Sequence, residues 1–289
     1  CVRKLIFLLP LISNFNHNLD KKITHFIKIE HGDKMIDKNK VNSFDVIVIG
    51  AGASGMMAAV SAARLGAGTL LIEKNDALGK KLLLTGGGRC NLTSADNRDE
   101  LLAQIPVNGK FLYSSMANFD NKDIMDFFLS GGLKLKVEDK CRVFPVTNSS
   151  KSIVELFEAK LKKHGVKLKT ASAVAEILQR NGKVYGVRTK QGEEFYAKCV
   201  IVACGGKSFP STGSNGDGYT LMKALGHSIS PLYAAEVPIV CRNCGSFLTE
   251  LSGISLQDVK LSVYNKKNKV VASHEGDLIF THFGISGPI

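Results

Sequence analysis

The stretch from Phe44 to Lys74 constrains the fold of this chain more than any other part of it. It opens with FDVIVIG, a continuous apolar run that is typical of a strand buried on both faces of a parallel sheet. The small and apolar residues of SGMMAAVSAARLG predict a helix packed closely on that sheet, and TLLIEK predicts a second strand. Together these segments form one βαβ unit, so we expect an α/β fold.

Three glycines, Gly50, Gly52 and Gly55, stand between the first strand and the helix with GxGxxG spacing. The first glycine permits a tight turn, the second lets a diphosphate approach the backbone, and the third lets helix and strand pack closely. The diphosphate would then bind at the helix N-terminus. Glu73 ends the second strand, where its carboxylate would accept hydrogen bonds from a ribose diol. An acid here disfavours a 2′-phosphate, so FAD or NAD is predicted over NADP. The alternative is a glycine-rich turn that arose by chance.

A second glycine-rich segment follows in GKKLLLTGGGRCNL. Gly86–Gly88 would let a ligand touch the backbone, since three adjacent glycines are hard to explain by folding alone. Arg89 and Asn91 would offer hydrogen-bond donors at that surface, and Lys80 and Lys81 precede them. The alternative interpretation is a glycine-rich turn with Arg89 in a surface ion pair.

A third segment, VIVACGGKSFPSTGSNGDGY, ends a buried strand in Gly205-Gly206. Ligands of open α/β sheets bind at the carboxyl edge of the strands, where this segment is expected to lie. Three predicted strands precede it as a meander, with tight turns at Asn181-Gly182 and Gln191-Gly192. Two glycine sites at one edge, separated by an inserted meander, fit an elongated two-part ligand such as FAD.

Several other elements follow from local pattern. Asp120 is predicted to cap a helix in DNKDIMDFFLSGG, and LKLKVEDKCRVFPV is a strand-like stretch. SIVELFEAKLKKHG is a clear amphipathic helix, with capping-box spacing between Ser152 and Glu155. After Pro231 we expect short alternating strands in VKLSVYN, KVVASHEG and DLIFTHFG.

The order of these motifs, with RVFP, GHSISPLYAAEVPI and DLIFTHFGISGP, resembles a bacterial family of NAD(P)/FAD-dependent oxidoreductases. The family is also described as aminoacetone-oxidase-family flavoproteins and includes bile-acid dehydro-Δ4,6 reductases. The resemblance runs from Phe44 to Ile289. It implies a glutathione-reductase-like FAD-binding Rossmann domain with a three-stranded β-meander, interrupted by an inserted β-rich domain.

Motifs and resemblance together predict the residues that bind FAD. The diphosphate would contact the first glycine loop, the adenosine would lie near Glu73 and the backbone of Val174, and the flavin would lie along Thr85 to Asn91. The predicted cofactor-binding residues are Gly50, Gly52, Ala53, Ser54, Gly55, Glu73, Lys74, Lys80, Lys81, Thr85, Gly86, Gly87, Gly88, Arg89, Cys90, Asn91, Val174, Ala203, Gly205 and Gly206.

The predicted domains are a tail (1–43), an incomplete FAD-binding domain (44–232) and the start of a β-rich substrate domain (233–289). The tail is expected to be disordered or to lie upstream of a true start at Met35. Relatives in the resembled family continue beyond SGP and return to the FAD domain with a last strand and a glycine-rich loop. The chain is therefore expected to be truncated.

His282 in FTHFG is the candidate catalytic residue, as a substrate contact or proton donor, against the alternative of a structural histidine. Cys90 would lie beside the flavin as a redox-active thiol or, alternatively, as a small packing residue. A disulfide between Cys199 and Cys204 is rejected because an extended strand separates them too far. CRNC at Cys241 is interpreted as a surface turn, and no metal ligands are predicted.

Composition and charge narrow the class of protein. Seven cysteines with irregular spacing fit a reduced, cytoplasmic protein. The net charge is +12, but the lysines are scattered and no aromatic-interleaved basic block occurs, so neither nucleic acid nor membrane is expected as a partner. The predicted function is hydride transfer between NAD(P)H, as a transient co-substrate, FAD and a small enone or ketone. The alternatives are a flavin-dependent amine oxidase and a flavin-binding RNA-modification or RNA-binding protein; the oligomeric state is left open.

Overall fold

The fold comes from a computed structural model that describes residues 5–6, 42–105, 108–234, 237–242 and 246–287. The chain divides into two compact units, Cys1–Ile229 and Ser230–Ile289. The predicted domain boundary after residue 232 and the roles of the domains stay predictions. Apart from Leu5 and Ile6, the predictions for the tail concern residues outside the described ranges.

The first unit contains ten strands and six α-helices among its described residues. In chain order they are β1 (Leu5–Ile6), β2 (Ser43–Ile49), α1 (Ala53–Arg64), β3 (Thr69–Ile72), β4 (Thr93–Ser94), α2 (Arg98–Ala103), α3 (Tyr113–Asn118), α4 (Asn121–Leu129), β5 (Leu135–Glu138), β6 (Arg142–Pro145), α5 (Ser150–Lys163), β7 (Lys167–Lys169), β8 (Val174–Arg180), β9 (Lys183–Thr189), β10 (Glu194–Val202) and α6 (Asp217–Ala224).

A seven-stranded sheet organises this unit, in the order β7-β3-β2-β10-β9-β8, with β1 also paired to β10. The first four strands of that order are parallel, whereas β8, β9 and the start of β10 form an antiparallel meander. Gly50 N–H donates to Ile72 and Ala203 N–H donates to Ile49, which aligns the carboxyl ends of three strands at one edge. The chain therefore has the predicted α/β Rossmann fold with a three-stranded meander.

Alternate residues of β2 face two separate cores, as the continuous apolar run predicts. Val46 and Val48 pack into one cluster with α1, α4 and α5, whereas Ile47 and Ile49 pack into the other with the meander and α6. Each side chain of TLLI in β3 is likewise buried. Helices or a meander therefore cover both faces of the parallel strands, which explains why these strands contain no polar alternation.

Two of the local predictions are confirmed. The Asp120 side chain caps α4 by accepting from the backbone N–H groups of Lys122 and Asp123. Asn181 and Gly182 both have positive φ, 52° and 72°, as a type I′ hairpin turn between β8 and β9 requires.

One other local prediction, the cap at Ser152, is wrong, and the predicted strand-like stretch is confirmed with a chain reversal inside it. Helix α5 begins at Ser150, so Ser152 lies inside it and its hydroxyl donates to the Ser149 carbonyl instead of capping the helix. The stretch LKLKVEDKCRVFPV is two strands, because Lys140 and Cys141 adopt positive φ and reverse the chain between β5 and β6.

The second unit contains a four-stranded sheet in the order β11-β14-β13-β12. Its elements are β11 (Ile239–Val240), α7 (Phe247–Leu251), β12 (Ser255–Tyr264), β13 (Val270–Thr281) and β14 (Gly284–Ser286). The prediction of separate strands in KVVASHEG and DLIFTHFG is wrong, because β13 runs through both. A register shift between Leu256 and Val259 of β12 lets the pairing continue past Gly276.

No helix in the described ranges has both the length and the apolar character that crossing a bilayer needs.

Candidate functional site

A cavity of about 650 Å³ lies at the carboxyl edge of the sheet in the first unit. Its walls come from the ends of β2, β3 and β10, the N-terminus of α1, the segment before β8 and the start of α6. This is the edge where ligands of open α/β sheets bind, because helix N-termini and strand ends converge there. The cavity is therefore the candidate site.

The first glycine loop forms one wall of the cavity. Gly50 has φ of +100°, and a Cβ there would lie 2.7 Å from the Ala203 carbonyl oxygen. A Cβ at Gly55 would lie 1.8 Å from the Gly50 carbonyl oxygen. These two glycines are required for packing, whereas a Cβ at Gly52 would meet no atom within 4 Å. Gly52 therefore keeps the surface of the loop open on the cavity side.

The N-terminus of α1 is available to an anion. Gly52 is its N-cap and provides no side-chain cap, and the first intrahelical bond runs from Met56 N–H to the Gly52 carbonyl. The N–H groups of the first helical turn have no partner within a helix. Ala53 and Ser54, in that turn, line the cavity. Unpaired N–H groups and the helix dipole together favour a phosphate at this point.

Glu73 lines the cavity and holds the glycine loop in place. It is 7% exposed. Its Oε2 accepts from Ala51 N–H at 2.6 Å, and its Oε1 accepts from the backbone and side-chain amides of Asn75 at 2.9 and 2.7 Å. A carboxylate has about four acceptor positions, so a ribose hydroxyl can still donate to it. The role of Asn75 was not predicted from the sequence.

The predicted lysines differ in their environments. Lys74 lines the cavity and pairs with Asp217 at 2.6 Å, which ties the end of β3 to the start of α6. Lys81 also lines it, and its ammonium donates to the Ser208 carbonyl at 2.8 Å. Lys80 instead pairs with Asp76 at the surface, and that ion pair lowers the pKa of the Asp76 carboxyl.

The TGGG segment makes a left-handed turn. Gly86, Gly87 and Gly88 have φ of 56°, 63° and 83°, a conformation that side chains with a Cβ rarely adopt. The turn closes through a hydrogen bond from Cys90 N–H to the Thr85 carbonyl at 3.0 Å, and both residues line the cavity. Burial raises the pKa of the Cys90 thiol, which keeps that thiol protonated.

The same turn directs Arg89 away from the cavity. Its guanidinium donates to both carboxylate oxygens of Glu138 at 3.0 Å and lies 4.1 Å above the centre of the Phe144 ring. Lys136 and Arg89 together hold the pKa of the Glu138 carboxyl below its ordinary value. This geometry corresponds to the alternative interpretation of the segment, in which Arg89 forms an ion pair.

The part of the cavity wall that α3 and α4 contribute is apolar. Leu92, Met116, Phe119, Ile124 and Phe128 line it there, mostly from α3 and α4. Their place in the site was not predicted, since sequence pattern identifies an apolar helix face but not the cavity that it lines. The cavity is therefore polar near Glu73 and apolar near α4.

The sequence of this chain matches a known protein family. Residues 44–276 match the family described as the HI0933-like protein Rossmann domain. The chain belongs to this family.

Two curated proteins illustrate what this HI0933-like chain is similar to. One, from Haemophilus influenzae and named ribosomal RNA dihydrouridine synthase, is 32% identical over 245 residues, which cover 84% of this chain and 59% of that protein. Another, from Clostridium scindens and named 3-dehydro-bile acid delta(4,6)-reductase, is 34% identical over 245 residues, which cover 83% of this chain and 57% of that protein. The chain thus spans less than two thirds of the length of these relatives.

Among solved structures, the open conformation of a flavocytochrome c3 fumarate reductase superposes with a TM-score of 0.58 at 18% identity. The superposition covers 76% of this chain and 48% of that one, and it shows a shared fold.

The cavity of this HI0933-like chain fits FAD. A diphosphate would bind at α1, the polar residues around Glu73 would suit adenosine, and the apolar residues of α3 and α4 would suit a flavin ring. The family to which the chain belongs likewise supports FAD as the cofactor. The predicted residues that line the cavity are Gly50, Gly52, Ala53, Ser54, Glu73, Lys74, Lys81, Thr85, Cys90, Asn91, Val174, Ala203 and Gly205. The predicted residues outside its lining are Gly55, Lys80, Gly86, Gly87, Gly88, Arg89 and Gly206.

Two further residues that the sequence analysis singled out are His282 and Cys204. His282 lies in the second unit and packs edge-on against Phe283, with ring centres 4.9 Å apart. Its catalytic role stays a prediction. Cys204 lines the cavity, and burial raises the pKa of its thiol to about 12. The predicted surface turn at CRNC includes residues outside the described ranges.

Proposed function

We propose that this chain is part of an FAD-dependent oxidoreductase that reduces a carbon–carbon double bond conjugated with a carbonyl group. The observation that carries the proposal is the chemistry shared by the names of its two relatives. A 3-dehydro-delta(4,6) steroid has double bonds conjugated with the ketone at C3, and dihydrouridine is uridine whose 5,6 double bond, conjugated with the C4 carbonyl, has been saturated. Both names describe the addition of two hydrogens to an enone-like bond.

The residues of the cavity would bind and orient the cofactor for this reaction. The N-terminus of α1, with Gly52, would hold the diphosphate, and Glu73 would accept from the ribose. Phe119, Ile124 and the other apolar residues near α4 would exclude water from the ring, which protects a hydride from loss to solvent. When bound, FAD supplies two-electron chemistry, in which one NAD(P)H and one proton are consumed for each double bond that is saturated.

NAD(P)H is proposed as the source of the hydride. The sequence contains a single GxGxxG loop and no second loop dedicated to NAD(P)H, so NAD(P)H would bind transiently and leave after reduction. His282 is proposed as the proton donor to the substrate, a role that a histidine can fill near neutral pH.

Anaerobic spectroscopy tests the proposal. The purified chain is saturated with FAD, titrated with NADH or NADPH, and then mixed with a steroid 4-en-3-one. Loss of the visible flavin absorbance with NAD(P)H and its return with the enone support the proposal. Bleaching by a primary amine, with none by NAD(P)H, would overturn it in favour of an amine oxidase. The Gly52→Ala variant is the control, since it should carry no flavin signal.

A second candidate substrate is a uracil base in ribosomal RNA. The name of the Haemophilus influenzae relative and the net charge of +12 favour it. The test is to incubate the reduced protein with ribosomal RNA and to measure dihydrouridine after digestion to nucleosides. Binding to that RNA should also weaken steeply with salt, because phosphate contacts release counterions. If no dihydrouridine forms and binding does not depend on salt, this candidate is excluded and the small enone remains.

A further inference from the structure

Asn75 follows the end of β3, two residues after Glu73, and both residues line the cavity. Two N–H groups of Asn75 donate to the same Glu73 oxygen, Oε1: the backbone amide at 2.9 Å and the side-chain amide at 2.7 Å. A carboxylate oxygen has two lone pairs, so the acceptor positions of Oε1 are filled. Among the described residues, Oε2 accepts only from Ala51 N–H, at 2.6 Å. The open acceptor position of this carboxylate is therefore on Oε2.

The surrounding structure fixes the Asn75 side chain in this orientation. Its amide nitrogen Nδ2 also donates to the Thr212 carbonyl at 3.2 Å. Glu73 and Thr212 both present acceptors there, so the nitrogen of the amide and not its oxygen must face them. Gly213 leaves room for this contact, because a Cβ at that residue would lie 2.7 Å from Nδ2. The Asn75 carbonyl accepts from Ala171 N–H at 2.7 Å, which anchors the residue to the segment before β8.

The charged side chains of the cavity wall do not neutralise Glu73. Besides Glu73, those that line the cavity among the described residues are Lys74, Lys81 and Asp217. Lys74 pairs with Asp217 at 2.6 Å, and the Lys81 ammonium donates to a backbone carbonyl at 2.8 Å. The Glu73 carboxylate is held instead by three N–H donors, two of which belong to Asn75.

We infer that Asn75 is a positioning residue of the cofactor site, which orients the Glu73 carboxylate so that Oε2 accepts one hydroxyl of the adenosine ribose. The inference rests on the proposed FAD-dependent function. Two donors on Oε1 fix the plane of the carboxylate, so a ribose hydroxyl gains its hydrogen bond without first ordering the acceptor. Without the side-chain amide the carboxylate is free to rotate, and the same hydroxyl gains less.

Ribose analogues test this role on the full chain. ADP, 2′-deoxy-ADP and 3′-deoxy-ADP are titrated by calorimetry into the wild type and Asn75→Ala. In the wild type, removing the hydroxyl that Glu73 accepts should lower affinity roughly 10- to 100-fold, as for a hydrogen bond to a charged group. In Asn75→Ala the same removal should cost less than about threefold, while ADP itself binds about tenfold more weakly. A residue that only supports the fold would weaken all three probes equally, and that result would overturn the inference.

The Asn75→Asp variant adds a readout that a folding defect does not reproduce. Its new carboxyl group lies beside Glu73 Oε1, so the two groups share one proton and the pKa of the pair is raised. While that proton is bound, the new group still donates to Glu73. Once pH rises past the raised pKa, two like charges face each other and displace the carboxylate. Relative to the wild type, FAD affinity by flavin fluorescence should be within about threefold at about pH 5.5 and at least roughly tenfold lower at about pH 8.5. A ratio that does not change with pH would contradict the inference.

The matched control is Asn215→Asp. The Asn215 side chain is exposed, accepts from the Lys74 ammonium at 2.7 Å and does not line the cavity. This variant makes the same change of charge without touching Glu73, so its FAD affinity should stay within about twofold of the wild type at both pH values. If the control showed the same pH dependence as Asn75→Asp, the effect would belong to the net charge, and the inference would fail.

Failure of the proposed function has a different signature. It would appear as flavin that the wild type binds but NAD(P)H does not reduce, whereas the affinity ratios do not depend on reduction. A wild type that binds ADP and no FAD would contradict the proposed cofactor, and the ribose analogues would still decide the role of Asn75. A wild type that binds both deoxy analogues as tightly as ADP, or that binds none of the three, would overturn the inference, because Glu73 would then accept from no ribose hydroxyl.

Discussion

Alanine substitutions at Gly52 and Gly50 should have different effects, because Gly52 is needed for cofactor binding and Gly50 is needed for folding. Gly52 has φ of −76° and ψ of −176°, which any residue adopts, and a Cβ there would meet no atom within 4 Å. Gly50 has φ of +100°, and its Cβ would lie 2.7 Å from a backbone oxygen of Ala203. Gly52→Ala should therefore fold normally and lose FAD, whereas Gly50→Ala should lose stability.

The magnitudes follow from these geometries. At Gly52, alanine restricts the conformations of the unfolded chain, which stabilises the folded protein by about 0.4–1 kcal/mol. Alanine is also a poorer N-cap than glycine, which destabilises α1 by a similar free energy. The net change in the free energy of unfolding should be within about 0.5 kcal/mol. At Gly50, the left-handed φ costs about 1–2 kcal/mol and the overlap with Ala203 about 1–3 kcal/mol more.

Affinity for FAD responds in the opposite way. The alanine methyl at position 52 would occupy the surface that a diphosphate must approach, which removes one or two charge-assisted hydrogen bonds of about 1.5–3 kcal/mol each. A loss of at least roughly 100-fold in affinity, or about 2.7 kcal/mol, is expected.

Urea denaturation of the ligand-free variants and FAD titration by fluorescence measure both quantities. If Gly52→Ala binds FAD as tightly as the wild type, the diphosphate does not approach this loop. If Gly50→Ala is as stable as the wild type, the contact with Ala203 has been overestimated. Either result would refute the division of roles between the two glycines.

Three more predictions follow from the described contacts. In a double-mutant cycle measured by urea unfolding, Arg89→Ala and Glu138→Ala should show a coupling free energy of about 0.5–1 kcal/mol, as for a partly exposed ion pair. Neither variant should change the affinity for FAD. A loss of FAD affinity in Arg89→Ala alone would place Arg89 at the cofactor. Burial raises the pKa of the Cys204 thiol from 9.0 to about 12, so the contribution of the protonated thiol to the free energy of unfolding is complete below pH 9 and should be lost as pH rises toward 12. Cys204→Ala should flatten this decline in stability with pH. An unchanged decline would show that Cys204 does not cause it. His282→Asn should slow re-oxidation by an enone and leave reduction by NAD(P)H unchanged; equal effects on both would indicate a structural role.

The sequence predicted the fold well where hydrophobic pattern and tight turns agree. The FDVIVIG strand, the Asn181-Gly182 hairpin and the Asp120 cap each depend on interactions within a few residues or on burial of a whole strand. Such features are visible in one sequence because the physical cause is local or periodic.

Helix and strand limits were less predictable. A serine hydroxyl near a helix start can accept from a backbone N–H as a cap, or it can donate to a backbone carbonyl within the first turn. The Ser152 hydroxyl donates to the Ser149 carbonyl, and residue spacing alone does not distinguish the two arrangements. The reversal at Lys140 and Cys141 uses positive φ at residues that rarely adopt it, so no glycine marks the turn.

The site was predictable in its backbone and less so in its side chains. The glycines of the first loop could be assigned because their spacing has one geometric use. Arg89 was ambiguous, since its partner Glu138 is distant in sequence and lies on another strand. The apolar wall near α4 gave no sequence signal, because its importance depends on what surrounds it in three dimensions.

The pairing of β10 with β2 also has a consequence for the order of folding. Lys198 and Asp45, which are joined by a 2.7 Å salt bridge between these strands, are 153 residues apart in the chain. Contacts over such separations form slowly, because a long loop must close before they contribute. A ribosome-bound chain that ends before β10 would therefore contain the first glycine loop without its opposite wall. Nucleotide capture would then report that the pairing of β10 with β2 is complete, and added nucleotide would stabilise the finished topology over earlier intermediates.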